Sequence, residues 1–160
     1  EMNILVCTDL SNNSTAVIET AQAFAVATSA KIWLIHVVNP DQGFIGYEDA
    51  ALSQIGVLEY GIDSQSNSTS IRDFISKKLH QNHQRVQTIS KKFRLTGIDT
   101  TALMIRGRTA GSILKLTEKL NADMVILGTP QHSVIHKLLL GSISQKILHS
   151  SKVPILCVPY

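Results

Sequence analysis

The chain has 160 residues, 44% of them hydrophobic and 17% charged, which fits one domain around a single large core and excludes a chain disordered as a whole. Its net charge of +3 and pI near 9.0 come from scattered Lys and Arg. Lys77-Lys78 and Lys91-Lys92 are short pairs on one helical stretch, a solvated face rather than a nucleic-acid patch. No apolar run reaches membrane-spanning length, and the first, Ile4 to Val6, is strand-sized rather than a signal peptide; the expected location is the cytoplasm, with no membrane and no specific nucleic acid as partners.

Taken in order, Asn3 to Thr8 (NILVCT) is a nearly continuous apolar run, the form of a central parallel strand buried on both faces. It ends at Asp9, and Ser11, Asn12, Asn13 and Ser14 offer alternative N-caps for a helix. That helix carries Ala16, Val17, Ala21, Phe24, Ala25 and Thr28 on one face. Lys31 to Val38 (KIWLIHVV) is a second strand, closed by Asn39-Pro40. The stretch from about 40 to 70 shows no sustained period and holds four of the nine glycines; it reads as a long flexible insertion with one short helix near Ala50 to Leu58. Ile71, Ile75, Leu79, Val86, Ile89 and Phe93 then mark a long amphipathic helix that stops at Gly97. Thr100 to Arg106 is a third strand, followed by a helix with Ile113, Leu116 and Leu120 on one face. Met124 to Leu127 is a fourth strand leaving through Gly128, Ser142 to Ser150 a last helix, and Val153 to Val158 a fifth strand. Alternating strands and helices predict an α/β fold with an open, doubly wound, mostly parallel sheet of five strands and helices on both faces.

In such a sheet, ligands sit at the carboxyl ends of the strands. The segment from Met124 to Ser144 carries the parts of an anion site: a strand, a glycine, and then Gly141-Ser142-Ile143-Ser144 opening a helix. Free N–H groups and the helix dipole favour negative charge there. Asp9, at the end of the first strand, can accept from a hydroxyl or amino donor. His132 and His136 stand four apart without an acidic or cysteine companion, so contact of His132 with phosphate is favoured over a metal site. Cys7 and Cys157 lie in separate apolar strands and read as small buried hydrophobes.

The opening strand ending in Asp9, the His36-Val37-Val38 strand end, the block Gly128-x2-Gln131-x9-Gly141-Ser142 and the closing Pro154-Ile155-Leu156 together resemble the universal stress protein (UspA-like) family over nearly the whole chain. The resemblance implies a strand order of 3-2-1-4-5, a homodimer and, in one subgroup, ATP binding. Carried over position by position, it implies that Asp9 and the backbone of Val38 surround adenine and ribose, and that Gly128, the position of Gln131, Gly141, Ser142, Ile143 and Ser144 surround ribose and phosphates. Thr8, at the exit of the first strand, and His132, by its own chemistry, complete the candidate binding residues. The implied cofactor is ATP or AMP, with Mg²⁺ as a companion. Gln131 departs from the pattern, because the ATP-binding members carry a second glycine there; a non-glycine residue at positive φ costs about 1–2 kcal/mol.

No Gly-x4-Gly-Lys-Ser/Thr loop and no Gly-x-Ser-x-Gly elbow occurs in the sequence, and no catalytic base or nucleophile can be assigned. Any ATP hydrolysis is expected to be slow and incidental. The Val153 to Val158 strand at a sheet edge is suited to pairing about a two-fold axis, which predicts a homodimer. The leading expectation is a nucleotide-binding stress-response module acting as a sensor or partner-docking dimer; the alternative is a nucleotide-independent dimeric interaction protein whose phosphate site is closed.

Overall fold

The computed structural model describes residues 1–39, 69–130 and 141–160. The expected insertion at 40–70, apart from its last two residues, lies outside them, as do Gln131 and His132. Five strands, β1 (Asn3–Cys7), β2 (Lys31–Val38), β3 (Thr100–Arg106), β4 (Met124–Thr129) and β5 (Ile155–Pro159), alternate with α1 (Ser14–Thr28), α2 (Thr69–Leu95), α3 (Thr109–Lys119) and α4 (Ser142–Ser150). The sheet order is β3-β2-β1-β4-β5, and every pairing is parallel. The predicted fold class and strand order are therefore those observed.

The continuous apolar runs follow from burial on both faces. In β1, Ile4 and Val6 point into one core, with Val17, Ala21 and Ala25 of α1 and Val86 and Phe93 of α2. Leu5, between them, points into the other core with Ala110 and Ile113 of α3 and Ile147 of α4. All three β1 residues are fully buried, so strand parity sends alternate side chains to two helical layers.

Several boundaries differ from the sequence reading. β4 does not end at Leu127 but runs on through Gly128 to Thr129, because Gly128 and Thr129 still pair with Val158 and Pro159. β5 begins at Ile155, two residues later than expected, and includes Pro159. The buried side of α1 is Ser14, Val17, Ala21 and Ala25, while Phe24 is 36% exposed. At about 100° per residue the buried stripe centres near Ala21, and Phe24 falls roughly 60° to one side, at its flank. Among the described residues no helix is long and apolar enough to cross a membrane.

Candidate functional site

Parallel β1, β2 and β4 present their carboxyl ends on one side of the sheet, and the residues leaving them enclose a cavity of about 440 Å³. This is within the range of small-molecule sites, about 300–1,000 Å³.

The β1 exit is the most tightly organised part. Thr8 stays on the ladder through its N–H to Ile35 O, 3.0 Å. The chain then reverses at Leu10, whose φ of 61° is unusual for a side-chain-bearing residue. The reversal is held by the Leu10 N–H donating to Thr8 Oγ1 at 3.0 Å. Thr8 Oγ1 in turn donates to Ser14 Oγ at 3.0 Å, and Ser14 Oγ donates to Asp9 Oδ1 at 2.6 Å. The Ser11 N–H donates to the same oxygen at 2.8 Å. Partial burial pushes the Asp9 carboxyl up, but the hydrogen bonds from Ser14 and Ser11 outweigh it and hold the group below its ordinary value. Asp9 is thus an ionised, exposed acceptor at the cavity mouth.

From β2 come Ile35, His36 and Val37. His36 is 9% exposed; its Nδ1 lies 3.0 Å from Thr8 O, and since a carbonyl can only accept, Nδ1 carries the proton. Nε2 faces Asn82 Nδ2 of α2 at 3.5 Å. Burial pushes the imidazole pKa down, against the raising effects of the Thr8 carbonyl and the Asp9 carboxylate, so the neutral ring is favoured. Cys7 also lines the cavity; burial raises its thiol to about 12, which keeps it protonated and a poor nucleophile.

The two motif glycines face different surroundings. A Cβ on Gly128 would lie 2.7 Å from Tyr160 Cε1 and 3.0 Å from Val17 Cγ2. The Tyr160 ring therefore lies directly over Gly128, and the Tyr160 N–H extends the β4–β5 ladder to Thr129 O at 3.1 Å. Among the described residues nothing lies within 4 Å of a Cβ on Gly141, and its φ of −57° is open to any residue. Among the described residues no side chain caps α4; its first helical bond is the Gln145 N–H to Gly141 O at 2.9 Å, and Ser142, Ile143 and Ser144 line the cavity.

Of the residues singled out from sequence, Thr8, Asp9, Gly128, Gly141, Ser142, Ile143 and Ser144 line this one cavity. Val38 does not. Its carbonyl accepts from the Gly107 N–H at 3.0 Å, so its peptide is turned towards β3; groups alternate along a strand, and Val37 lines the cavity instead. Gln131 and His132 lie outside the described residues. Sequence reasoning missed Ser14, His36 and Tyr160 as lining residues. His36 was visible within the strand-end motif and Ser14 among the alternative caps, whereas nothing marked Tyr160. Among the described residues no group of three His, Cys, Asp or Glu is placed to hold a metal ion.

Comparison with known proteins places this chain in a family. A universal stress protein of Coxiella burnetii is 28% identical over 156 residues, covering 98% of this chain and 94% of its own. One of Methanocaldococcus jannaschii is 22% identical, covering 97% of this chain and 93% of its own. Among solved structures, a Methanocaldococcus jannaschii protein superposes with a TM-score of 0.70 at 19% identity, covering 99% of this chain and 96% of its own. A universal stress protein solved in complex with cAMP superposes with a TM-score of 0.63 at 18% identity, covering 99% and 96%. One from Archaeoglobus fulgidus, in complex with dAMP, gives 0.61 at 14%, covering 99% and 98%. At these identities the structures speak for the fold; the family profile itself matches residues 2–159, and the chain belongs to the universal stress protein family.

Proposed function

We propose that the cavity binds an adenine nucleotide, ATP or AMP, and that the protein is a cytoplasmic, dimeric stress-response module whose nucleotide state changes a surface offered to a partner. The observation that carries this reading is the pairing of a carboxylate with an uncapped helix start across one cavity. Asp9 offers an ionised acceptor to a ribose hydroxyl or adenine amine, and the first N–H groups of α4, capped by no described side chain, offer donors to phosphate beside Gly141, where no described residue would meet a Cβ. Family members in complex with cAMP and dAMP support the adenine class of ligand. Mg²⁺ enters this reading only as a companion of the phosphates, its usual mode of binding.

The reading is of binding rather than turnover. The Cys7 thiol stays protonated, and a carboxylate with a lowered pKa, such as Asp9, is a weak base. A second reading, the nucleotide-independent interaction protein, is favoured by the Tyr160 ring, which already fills the space over Gly128. Calorimetric titration of ligand-stripped protein with ATP and AMP, with and without Mg²⁺, separates the two. Saturable binding is expected, and its absence at millimolar nucleotide would establish the second reading.

A further inference from the structure

The chain of hydrogen bonds at the β1 exit is asymmetric about the Asp9 carboxylate. Two of the bonds that Asp9 accepts converge on Oδ1, one from the Ser11 N–H at 2.8 Å and one from Ser14 Oγ at 2.6 Å, and the Ser11 side chain adds a weaker hydrogen bond to the same carboxylate. Ser14 is buried and has one hydroxyl proton. Thr8 Oγ1 donates to its oxygen at 3.0 Å, and the Leu10 N–H occupies Thr8 Oγ1 at 3.0 Å. Each hydroxyl in the series therefore has its single proton assigned, and the direction of donation runs from Leu10 through Thr8 and Ser14 to Asp9.

We propose that Ser14 is a positioning residue for ligand recognition: oriented by Thr8, it fixes Oδ1 of Asp9 so that Oδ2 is offered to a hydroxyl or amine donor of the ligand. This rests on the nucleotide reading of the same cavity. A carboxylate able to rotate would divide its acceptors between solvent and ligand; one held through a short bond from a buried hydroxyl meets the ligand in a single orientation, and the ordering is complete before binding. The strained φ of 61° at Leu10 belongs to the same device, since the reversal brings the Leu10 N–H onto Thr8 and so starts the series. Ser14 is not itself a nucleophile here, because its proton is directed at a carboxylate held ionised rather than at a base ready to take it.

The titratable groups facing Asp9 are His36 on β2 and Tyr160 beyond β5, with Arg85 of α2 acting on His36 in turn. The readout must therefore be specific to Asp9. The carboxyl carbon resonance of Asp9, followed against pH in unliganded protein, supplies it for wild type, Ser14→Ala and Ser14→Thr. Loss of the donor in Ser14→Ala should raise the Asp9 pKa and weaken ATP binding roughly tenfold at neutral pH. Ser14→Thr, which keeps a hydroxyl, should restore both. Inorganic triphosphate, which has neither donor, should bind all three proteins alike. Comparison of 2′-deoxy-ATP with inosine triphosphate assigns the donor, the hydroxyl if the first loses the Ser14 effect and the amine if the second does. An unchanged Asp9 pKa in Ser14→Ala, or an equal loss of affinity for inorganic triphosphate, overturns the proposal. Failure of wild type to bind any nucleotide overturns the nucleotide reading instead, and the resonance in free protein still decides whether Ser14 controls Asp9.

Discussion

Gly128 and Gly141 belong to one sequence motif, yet they are glycine for different reasons. At Gly128 the protein itself occupies the missing side chain's place, with Tyr160 and Val17 both at 3.0 Å or closer to a Cβ there. At Gly141 no described residue comes within 4 Å of a Cβ, so among the described residues no packing demands glycine there and a ligand can approach the backbone. This contrast predicts opposite outcomes. Gly128→Ala should destabilise the fold by about 1–3 kcal/mol through overpacking, read as a lowered urea midpoint. Gly141→Val, at the N-cap of α4 where glycine is favoured over valine, should cost no more than about 1 kcal/mol and weaken nucleotide binding by crowding the phosphates. A Gly141→Val protein that binds ATP as wild type does would move the phosphates away from α4.

At the scale of elements, β5 is an edge strand whose ladder groups are divided by parity. The Tyr160 N–H points to Thr129 O on β4, and the register pairs Leu127 with Cys157 and Gly128 with Val158. Alternation then sends the N–H groups of Leu156 and Val158 towards β4 and those of Ile155 and Cys157 to the free edge. Pro159 has no N–H to offer there. Leu156 packs into the core shared by α1 and α2, so its side chain is tied to folding. Pairing of two β5 edges in the proposed dimer would use the backbone of Ile155 and Cys157. Cys157→Pro removes one of these donors without touching the β4 ladder, and light scattering should then report a monomer where wild type is a dimer. A surviving dimer would locate the interface elsewhere.

The same parity explains what could be read in advance. β1 and β2 were legible because burial on both faces writes an unbroken apolar run, and α4 because Gly141-Ser142 announces its start. The end of β4 was not legible, since glycine reads as a terminator and only the partner strand shows that pairing continues to Thr129. Val38 enters the expected pocket through the family resemblance, by its backbone, while the direction of its peptide depends on register with β3. Tyr160 gave no signal at all, because its ring meets Gly128 through an adjacency between β4 and β5 that no local pattern records.

For the whole molecule, His36 joins the two central strands and α2 at the cavity floor, through Thr8 O and Asn82. Burial holds its pKa below the ordinary value of 6.5. The unfolded chain therefore takes up a proton first as pH falls, and the folded state loses stability from about pH 6.5 downward, through the lowered folded pKa. Above that range the contribution is complete. Urea midpoints measured across this interval should fall with pH in wild type and fall less steeply in His36→Gln; parallel curves would assign the acid sensitivity to other groups.

The central claim is that the ligand lies between the β1 exit and the start of α4. Amide resonances of isotopically labelled protein, followed while ATP is added, test it most directly. The account predicts saturable shifts concentrated at Asp9, Val37, Gly128 and Gly141 to Ser144. Shifts that gather elsewhere, on the outer faces of α2 or α3 for example, or no shifts at millimolar ATP, would contradict it.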